Sequence, residues 1–389
     1  MPNMAWVHVI LVALVADGAS VLRGQSRQSH ISQSDAVPLA VTPPRSPAPS
    51  SIYGKLYVGV PPQEFLVVFD TGSGNLFLPD RTCQSTSCMT KHRYDKLLSR
   101  AAKVSNSTSD VSFSVGHGSI VGRPLRDKVC LQPQEVCADT DFVSAAQMSD
   151  VPFGLYPFDG ILGLAMPGLS QSKDYNFLGN LAEANQLQKD RFAIWLSKKV
   201  DLEDSEISFG EIPMTRLNSD IVWFPLSSTD GLWQVEMKDV TVNLVRQSLC
   251  TTPPCHVVFD SGTGVLAGPK HMVETMKQEL NVASDCSNWD DLPALGVELG
   301  DAVFNIEKYD YVQKTNEGCF VQLATLDTEK PILFLGTPFL ERYVTIYDRV
   351  FLRVGIAFAV HATEPTGETT SEAQQRLMGR KALGGPAKE

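Results

Sequence analysis

The sequence predicts a mostly β protein built as two related lobes, on three observations. Short apolar runs, many alternating with polar residues and broken by Gly, Pro and Asp, dominate the chain, while helical periodicity is sparse. One segment recurs: Val67-Val68-Phe69-Asp70-Thr71-Gly72-Ser73-Gly74 returns as Val257-Val258-Phe259-Asp260-Ser261-Gly262-Thr263-Gly264. Each copy is followed later by an apolar run ending in glycine, Ile161-Leu162-Gly163 in the first half and Leu333-Phe334-Leu335-Gly336 in the second. Two markers recurring in the same order argue for a duplicated unit.

Composition agrees. A chain of 389 residues has room for two or three units of ordinary domain size. With 43% hydrophobic and 20% charged residues it can bury a large core, which excludes a wholly disordered, collagen-like or coiled-coil chain. The 33 basic and 44 acidic residues leave a net charge of −11. Phosphate binding needs clustered Lys and Arg, so nucleic acid is disfavoured as a partner, as is an anionic membrane surface.

Residues 1–19 read as a signal peptide. Met4 to Ala16 is apolar apart from His8, too short to span a bilayer, with the small residues Ala16 and Gly18 where cleavage needs them. Residues 20–51 form a Ser/Pro-rich lead-in, inside which Ala36 to Val41 is expected to make one edge strand. Residues 52–220 are expected to form the first lobe, with strands over Phe65 to Phe69, Val111 to Val115 and Ile207 to Phe209 and a helix over Asn176 to Gln188. Residues 221–361 are expected to form the second lobe, with a helix over Met272 to Leu280 after Pro269 and a strand over Tyr343 to Tyr347. Residues 362–389 are polar, rich in Thr, Glu and Gly, and read as a disordered tail. No later stretch is apolar for long enough to cross a membrane.

The eight cysteines include close pairs five, seven and five residues apart, and no Cys-x-x-Cys knuckle accompanies them. Small disulfide loops made in an oxidising compartment are therefore expected rather than zinc.

The chemistry lies in the repeat. Each copy puts an aspartate where an apolar strand ends and a glycine-rich turn begins, the glycines allowing tight turns and close backbone approach. One copy alone is the pattern of an ordinary Asx-type turn. In two lobes related by an approximate twofold axis, Asp70 and Asp260 meet. Two carboxylates so close share one proton: one acts as base on a water, and the other, protonated, polarises a substrate carbonyl. Thr71, Ser73, Ser261 and Thr263 supply hydroxyls that can orient the carboxylates. This chemistry calls for no metal and no cofactor.

The paired motifs resemble those of the pepsin-like aspartic proteases, the family of pepsin and cathepsin D. "YGKLYVGVPPQEFLVVFDTGSGNLFLP" resembles the family's first-lobe signature, "PFDGILGLA" its return segment, "HVVFDSGTGVLAGP" its second-lobe signature, and "ILFLGTPFLERYVTIYDRVFLRVGIAFA" its C-terminal block. The likeness runs from about Tyr53 to Val360. It implies a bilobal, nearly all-β pepsin-like fold with a cleft, endopeptidase activity on polypeptide substrates, and Asp70 and Asp260 as the catalytic dyad, with Thr71, Gly72, Ser73, Ser261, Gly262 and Thr263 in support. It implies disulfides Cys83–Cys88, Cys250–Cys255 and Cys286–Cys319, with Cys130–Cys137 as an additional loop. With the signal segment, the cysteines point to the secretory route, extracellular or in an acidic compartment, and a monomer is expected.

Val111 to Val115, then Gly116-His117-Gly118, then Ser119 to Gly122 read as a hairpin where the family has its flap. The family's flap tyrosine falls at Val115, the Ser or Thr of the tip at His117, and the tryptophan partnering the tyrosine at Phe77. A flap lacking that phenol–indole contact is expected to close less firmly. Phe77, Val115, Phe153, Phe158 and Ile161 on one side, and Leu232, Val258 and Leu266 on the other, are expected to flank the cleft and select large apolar or aromatic side chains. The lead-in from Gly24 to Ser51 holds Arg27 and Arg45 but no lysine, unlike the family's basic prosegments. Asn106-Ser107-Thr108 is a glycosylation sequon.

Overall fold

The computed structural model describes residues 35–42, 51–105, 109–115, 118–198, 204–229, 231–251, 254–328 and 330–361. The expected signal segment, most of the lead-in, Asn106 with its sequon, the flap-tip residues Gly116 and His117, and the tail 362–389 lie outside the described residues.

The repeat in sequence is a repeat in strand wiring. In the first half, Ser51–Val58 pairs antiparallel with Gln63–Asp70, in register from Tyr53 opposite Val68 to Val58 opposite Gln63. Gln63–Asp70 runs parallel to Gly160–Gly163, which lies antiparallel to Leu76–Pro79, itself parallel to Glu135–Met148. In the second half, Gln234–Met237 pairs antiparallel with Cys255–Phe259. That strand runs parallel to Ile332–Leu335, which lies antiparallel to Leu266–Pro269, itself parallel to Leu323–Leu326. In both halves the chain leaves an apolar strand, turns through Asp-Thr/Ser-Gly, and returns on the far side of an inserted strand. The four residues of that strand are buried in the first half (Gly160–Gly163). This explains why the marker runs are apolar throughout rather than alternating.

The glycine ending each inserted strand is required by space. A Cβ on Gly163 would lie 2.5 Å from Asn75 N, and one on Gly336 would lie 2.0 Å from Thr263 O. The aspartate turn presses against the inserted strand, and only a residue without a side chain fits between them.

A second sheet region joins the two halves. Val222–Pro225, Arg353–Phe358 and Tyr343–Asp348 continue through Arg191–Trp195 and Ser205–Phe209 to Asp35–Thr42 and Ser51–Val58. Asp35–Thr42 was expected at an edge. It lies instead inside the sheet, hydrogen-bonded to Ser205–Phe209 on one side and Ser51–Val58 on the other. Val37 and Leu39 are buried while Pro38 is exposed, so the core needs the strand's apolar face and the ladder tolerates the N–H that Pro38 lacks. Tyr343–Asp348 is buried at all six positions, covered on both faces.

Helices are few. Asn176 caps Phe177–Glu183 by accepting from Gly179 N at 2.8 Å. This helix stops short of the expected Gln188, with Asn185 in the left-handed region at φ 50°. Lys270–Leu280 follows Pro269, buries Met272, Val273, Met276 and Leu280, and ends at Asn281 with φ 44°. The cysteines form Cys83–Cys88, Cys130–Cys137, Cys250–Cys255 and Cys286–Cys319.

Space at the inserted strands makes a test. Gly336→Ala is expected to lower Tm by several degrees or to prevent soluble expression. Gly154→Ala, whose Cβ would find nothing nearer than 3.9 Å, is expected to leave Tm unchanged. Thermal melts of the two variants check it, and equal melts would remove the steric account.

Candidate active site

Asp70 ends the strand Gln63–Asp70, and Asp260 directly follows Cys255–Phe259. Each carboxyl is held by its own turn. Gly72 N donates to Asp70 Oδ1 at 2.8 Å and Ser73 Oγ to Asp70 Oδ2 at 2.5 Å. Gly262 N donates to Asp260 Oδ1 at 2.8 Å and Thr263 Oγ1 to Asp260 Oδ2 at 2.7 Å. The two cradles match atom for atom because the two turns have the same backbone course.

The carboxyls meet. A Cβ on Gly72 would lie 2.8 Å from both carboxylate oxygens of Asp260, and one on Gly262 would lie 2.3 Å from Asp70 Oδ1. Each aspartate therefore leans over the glycine of the other turn, and a Cβ on Gly262 would lie 3.2 Å from Asp260 Oδ1 as well, so the two carboxyls stand side by side. The glycines thus have a second reason to be there, beyond their turns.

Thr71 and Ser261 do not orient the carboxylates, as the sequence suggested. They face away and clasp the two turns together beneath the dyad. Thr71 N donates to Ser261 Oγ at 3.0 Å and Ser261 N to Thr71 Oγ1 at 2.9 Å. Thr71 Oγ1 donates across to Phe259 O at 2.8 Å and Ser261 Oγ to Phe69 O at 2.6 Å. The reason is positional: the residue just after the aspartate points to the opposite face of the chain, while the residue three along returns over the carboxyl.

Both aspartates are buried. Burial pushes the Asp260 carboxyl well above the usual carboxylate range, and the neighbouring charge of Asp70 pushes it further, against the bonds from Thr263 and Gly262. Burial also raises Asp70, opposed by the hydrogen bonds from Ser73, Gly72 and Asp260. Both carboxyls are thus raised, and the pair titrates as a unit in which one takes the charge while the other keeps the proton.

The expected cleft residues divide. Phe77, Phe153, Phe158, Ile161 and Val115 form one closed apolar cluster beside the first turn. Phe77 is edge-on to Phe113 at 6.0 Å and to Phe153 at 5.6 Å, and Phe158 stacks on Tyr156 at 4.9 Å. Val258 and Leu266 are likewise in closed packing. These side chains satisfy one another, and that mutual packing removes them from the open surface. Leu232 is the exception. It lines a hollow of about 410 Å³ beside the strand Cys255–Phe259, together with Leu169, Gln234, His256, Pro331 and Ile332. Val111–Val115 and Gly118–Gln132 do pair as a hairpin, Val115 opposite Gly118.

Sequence reasoning missed Trp233. Its buried Nε1 donates to Leu164 O at 2.9 Å, and Leu164 N donates to Asp70 O at 2.7 Å, so a side chain of the second half braces the first aspartate. A lone Trp just before the short strand Gln234–Met237 carries no pattern that would reveal this. Among the described residues no group of three or more His, Cys, Asp or Glu side chains converges as a metal-ligand set. No helix among them is long and apolar enough to cross a membrane.

Comparison with known proteins gives the chain its family. A family model described as eukaryotic aspartyl protease covers residues 51–359, and the chain belongs to that family. The chain is similar to pepsin A of Suncus murinus, 28% identical over 318 residues that span 78% of this chain and 80% of that one. It is similar to gastricsin of Mus musculus, 28% identical over 323 residues spanning 80% and 81%. It is also similar to cathepsin D of Dictyostelium discoideum, 30% identical over 323 residues spanning 79% and 83%.

The raised carboxyls tie stability to pH. A folded-state pKa above the unfolded value gives the folded state more protons between the two. The stability it contributes is present below the ordinary carboxylate pKa and is lost as pH rises through the folded one. Asp260→Asn removes one such group. Its Tm is expected to fall less than that of the unmodified protein between about pH 4 and about pH 7, and parallel melts of both proteins check this. A steeper fall in the variant would contradict the assigned direction.

Proposed function

We propose that this protein is an aspartic endopeptidase that hydrolyses peptide bonds in polypeptides, using a water activated between Asp70 and Asp260. One observation carries the reading: two buried carboxyls from the two repeats, each in a matching cradle of one backbone N–H and one hydroxyl, stand side by side. Such a pair holds a base and an acid side by side at one acidic pH.

Asp70, ionised, takes a proton from the attacking water, whose oxygen bonds to the scissile carbonyl carbon. Asp260 donates its proton to the carbonyl oxygen. The tetrahedral adduct collapses as the proton held by Asp70 passes to the amide nitrogen, a hydroxyl of the adduct returns a proton to Asp260, and the C–N bond breaks, leaving a new carboxyl and a new amine. The hollow along the strand Cys255–Phe259, walled by Leu169, Leu232, Pro331 and Ile332 as well as by His256 and Lys330, supports selection of substrates with large apolar side chains. The four disulfides favour the secretory route, extracellular or in an acidic compartment. The protein acts as a monomer in this reading.

One observation favours a second reading, a catalytically weak peptide- or protein-binding protein. Val115 sits on the flap hairpin within the apolar cluster and brings no side-chain donor toward a substrate. A flap without that donor holds a substrate less firmly.

Hydrolysis of denatured haemoglobin or casein from about pH 3 to about pH 7, with and without a statine-type inhibitor, separates the two. Inhibitor-sensitive activity that peaks in acid and survives EDTA is expected. Asp70→Asn and Asp260→Asn are each expected to lose about 10²–10⁴-fold in kcat while keeping the fold, the double variant losing little more than either. Inhibitor binding without hydrolysis would favour the binder. A single variant retaining a tenth of the turnover would refute the shared proton.

A further inference from the structure

The short turn Lys96–Leu98 in the first half is pinned at both ends. Before it, Asp95 is buried and held four ways. Its amide donates to Gln63 Oε1 at 2.9 Å, and its carbonyl accepts from Gln63 Nε2 at 3.0 Å. Its carboxylate accepts from Leu97 N at 2.9 Å and pairs with Arg81 at 2.5 Å. After the turn, buried Ser99 accepts from Val60 N at 2.9 Å through its hydroxyl, and Arg100 N donates to Val60 O at 2.9 Å. Between these anchors the side chains stand in solvent: Leu97 is 79% exposed and Leu98 60%. Val104, a few residues on, is exposed as well. A single exposed leucine is ordinary. Two adjacent ones on a turn anchored on both sides have no route inward, at positions where turns usually carry polar residues.

The charge around the leucines runs against that of the whole chain. The chain carries −11, yet residues 81–104 hold six basic side chains, Arg81, Lys91, Arg93, Lys96, Arg100 and Lys103, against one acidic, Asp95, a local balance of +5. Neighbouring carboxylates are occupied. Asp95 is paired with Arg81, Asp80 accepts from the hydroxyls of Thr82 and Ser144, and Asp141 is paired with Arg126, the residue opposite Lys103. Lys96, Arg100 and Lys103 are exposed and make no ion pair among the described residues. Salt screens charge over about 10 Å, so a partner at this turn meets the local excess and not the total. The total is what disfavours an anionic surface, and here it does not apply.

Leucines flanked by cations suit a layer of anionic headgroups over hydrocarbon. A sulfated polysaccharide would use the cations and leave the leucines in water. An apolar protein face would bury the leucines and strip water from the cations without compensation. We propose that the turn Lys96–Leu98 docks this protein on an anionic lipid surface, Leu97 and Leu98 entering the boundary between headgroups and acyl chains while Lys96, Arg100 and Lys103 meet the headgroups. The turn suits this use because its anchors hold the leucines outward before contact, so little order has to be gained on binding. The docking is peripheral and reversible, and it does not rest on the peptidase reading.

Co-sedimentation of the purified protein with vesicles tests it, using phosphatidylcholine alone and phosphatidylcholine with about 30% phosphatidylserine. Binding to the anionic vesicles is expected to be at least about tenfold tighter, and to weaken as salt rises from about 0.1 M to about 0.5 M. Leu97→Ser with Leu98→Ser is expected to weaken it about tenfold or more. Lys96→Gln with Arg100→Gln and Lys103→Gln is expected to remove the preference for anionic vesicles. Leu244→Ser with Val245→Ser is the control, an exposed apolar pair of the second half, 52% and 65% exposed, beside the Arg246–Glu298 ion pair. It is expected to bind as the unmodified protein does. All these positions are on the surface, so Tm is expected to hold in every variant and a loss reads the contact itself. Equal binding to both kinds of vesicle would overturn the proposal. So would undiminished binding in the Leu97/Leu98 variant, which would leave a polyanion site without insertion or a contact elsewhere on the chain, and so would an equal loss in the control.

Discussion

Everything at the centre of this protein depends on two short turns being pressed against each other. The reciprocal bonds of Thr71 and Ser261, each giving a backbone N–H to the other's hydroxyl and a hydroxyl proton to the other strand's carbonyl, are buried. In a dry interior an unpaired donor costs far more than a paired one contributes, so the clasp has one low-energy arrangement and few near it. That constraint forces two carboxyls together where repulsion and burial would drive them apart. The raised Asp260 carboxyl is the electrostatic consequence.

Such a clasp needs a stiff surround. Each turn is wedged between two strands by an inserted third, and the inserted strand's closing glycine lets the turn approach to contact. Trp233 reaches from the second half to the carbonyl of Leu164, whose amide holds Asp70 O. Met166 N donates to Gly231 O at 2.8 Å, a further bond between the halves at the same level. The strands Tyr343–Asp348 and Arg191–Trp195 pair behind the dyad, so the two halves share one sheet and the two turns share one foundation. Precision at the site comes from these supports being sheet and core rather than loop.

The flap side follows a different logic. Val115, Phe77, Phe153 and Phe158 are packed on one another, so the apolar residues nearest the first turn stabilise the hairpin and its base before they meet any ligand. Leu232, on the second half, keeps a face to the hollow. The asymmetry is notable in a duplicated fold: the dyad repeats faithfully, while its surroundings do not.

Much was legible in the sequence. The repeated Val-Val-Phe-Asp segment identified the dyad, the glycine-ended runs identified the inserted strands, and Asn176 and Pro269 marked two helix starts. These are local signals, in which a residue type and its neighbours carry the physical reason. The rest depended on contacts between residues far apart in the chain. Which hydroxyl turns to its own carboxylate and which to the other turn depends on where residue 261 lies relative to residue 71, 190 positions away. Whether Asp35–Thr42 is an edge depends on Ser205–Phe209 arriving beside it. Whether an aromatic side chain lines a cleft or closes a core depends on which neighbours reach it first, as Phe113 and Phe153 reach Phe77. The sequence by itself determined which groups could do the chemistry, because charge, hydroxyl and the absence of a side chain are properties of single residues. Only the tertiary structure decided how they face one another, because orientation and burial belong to pairs.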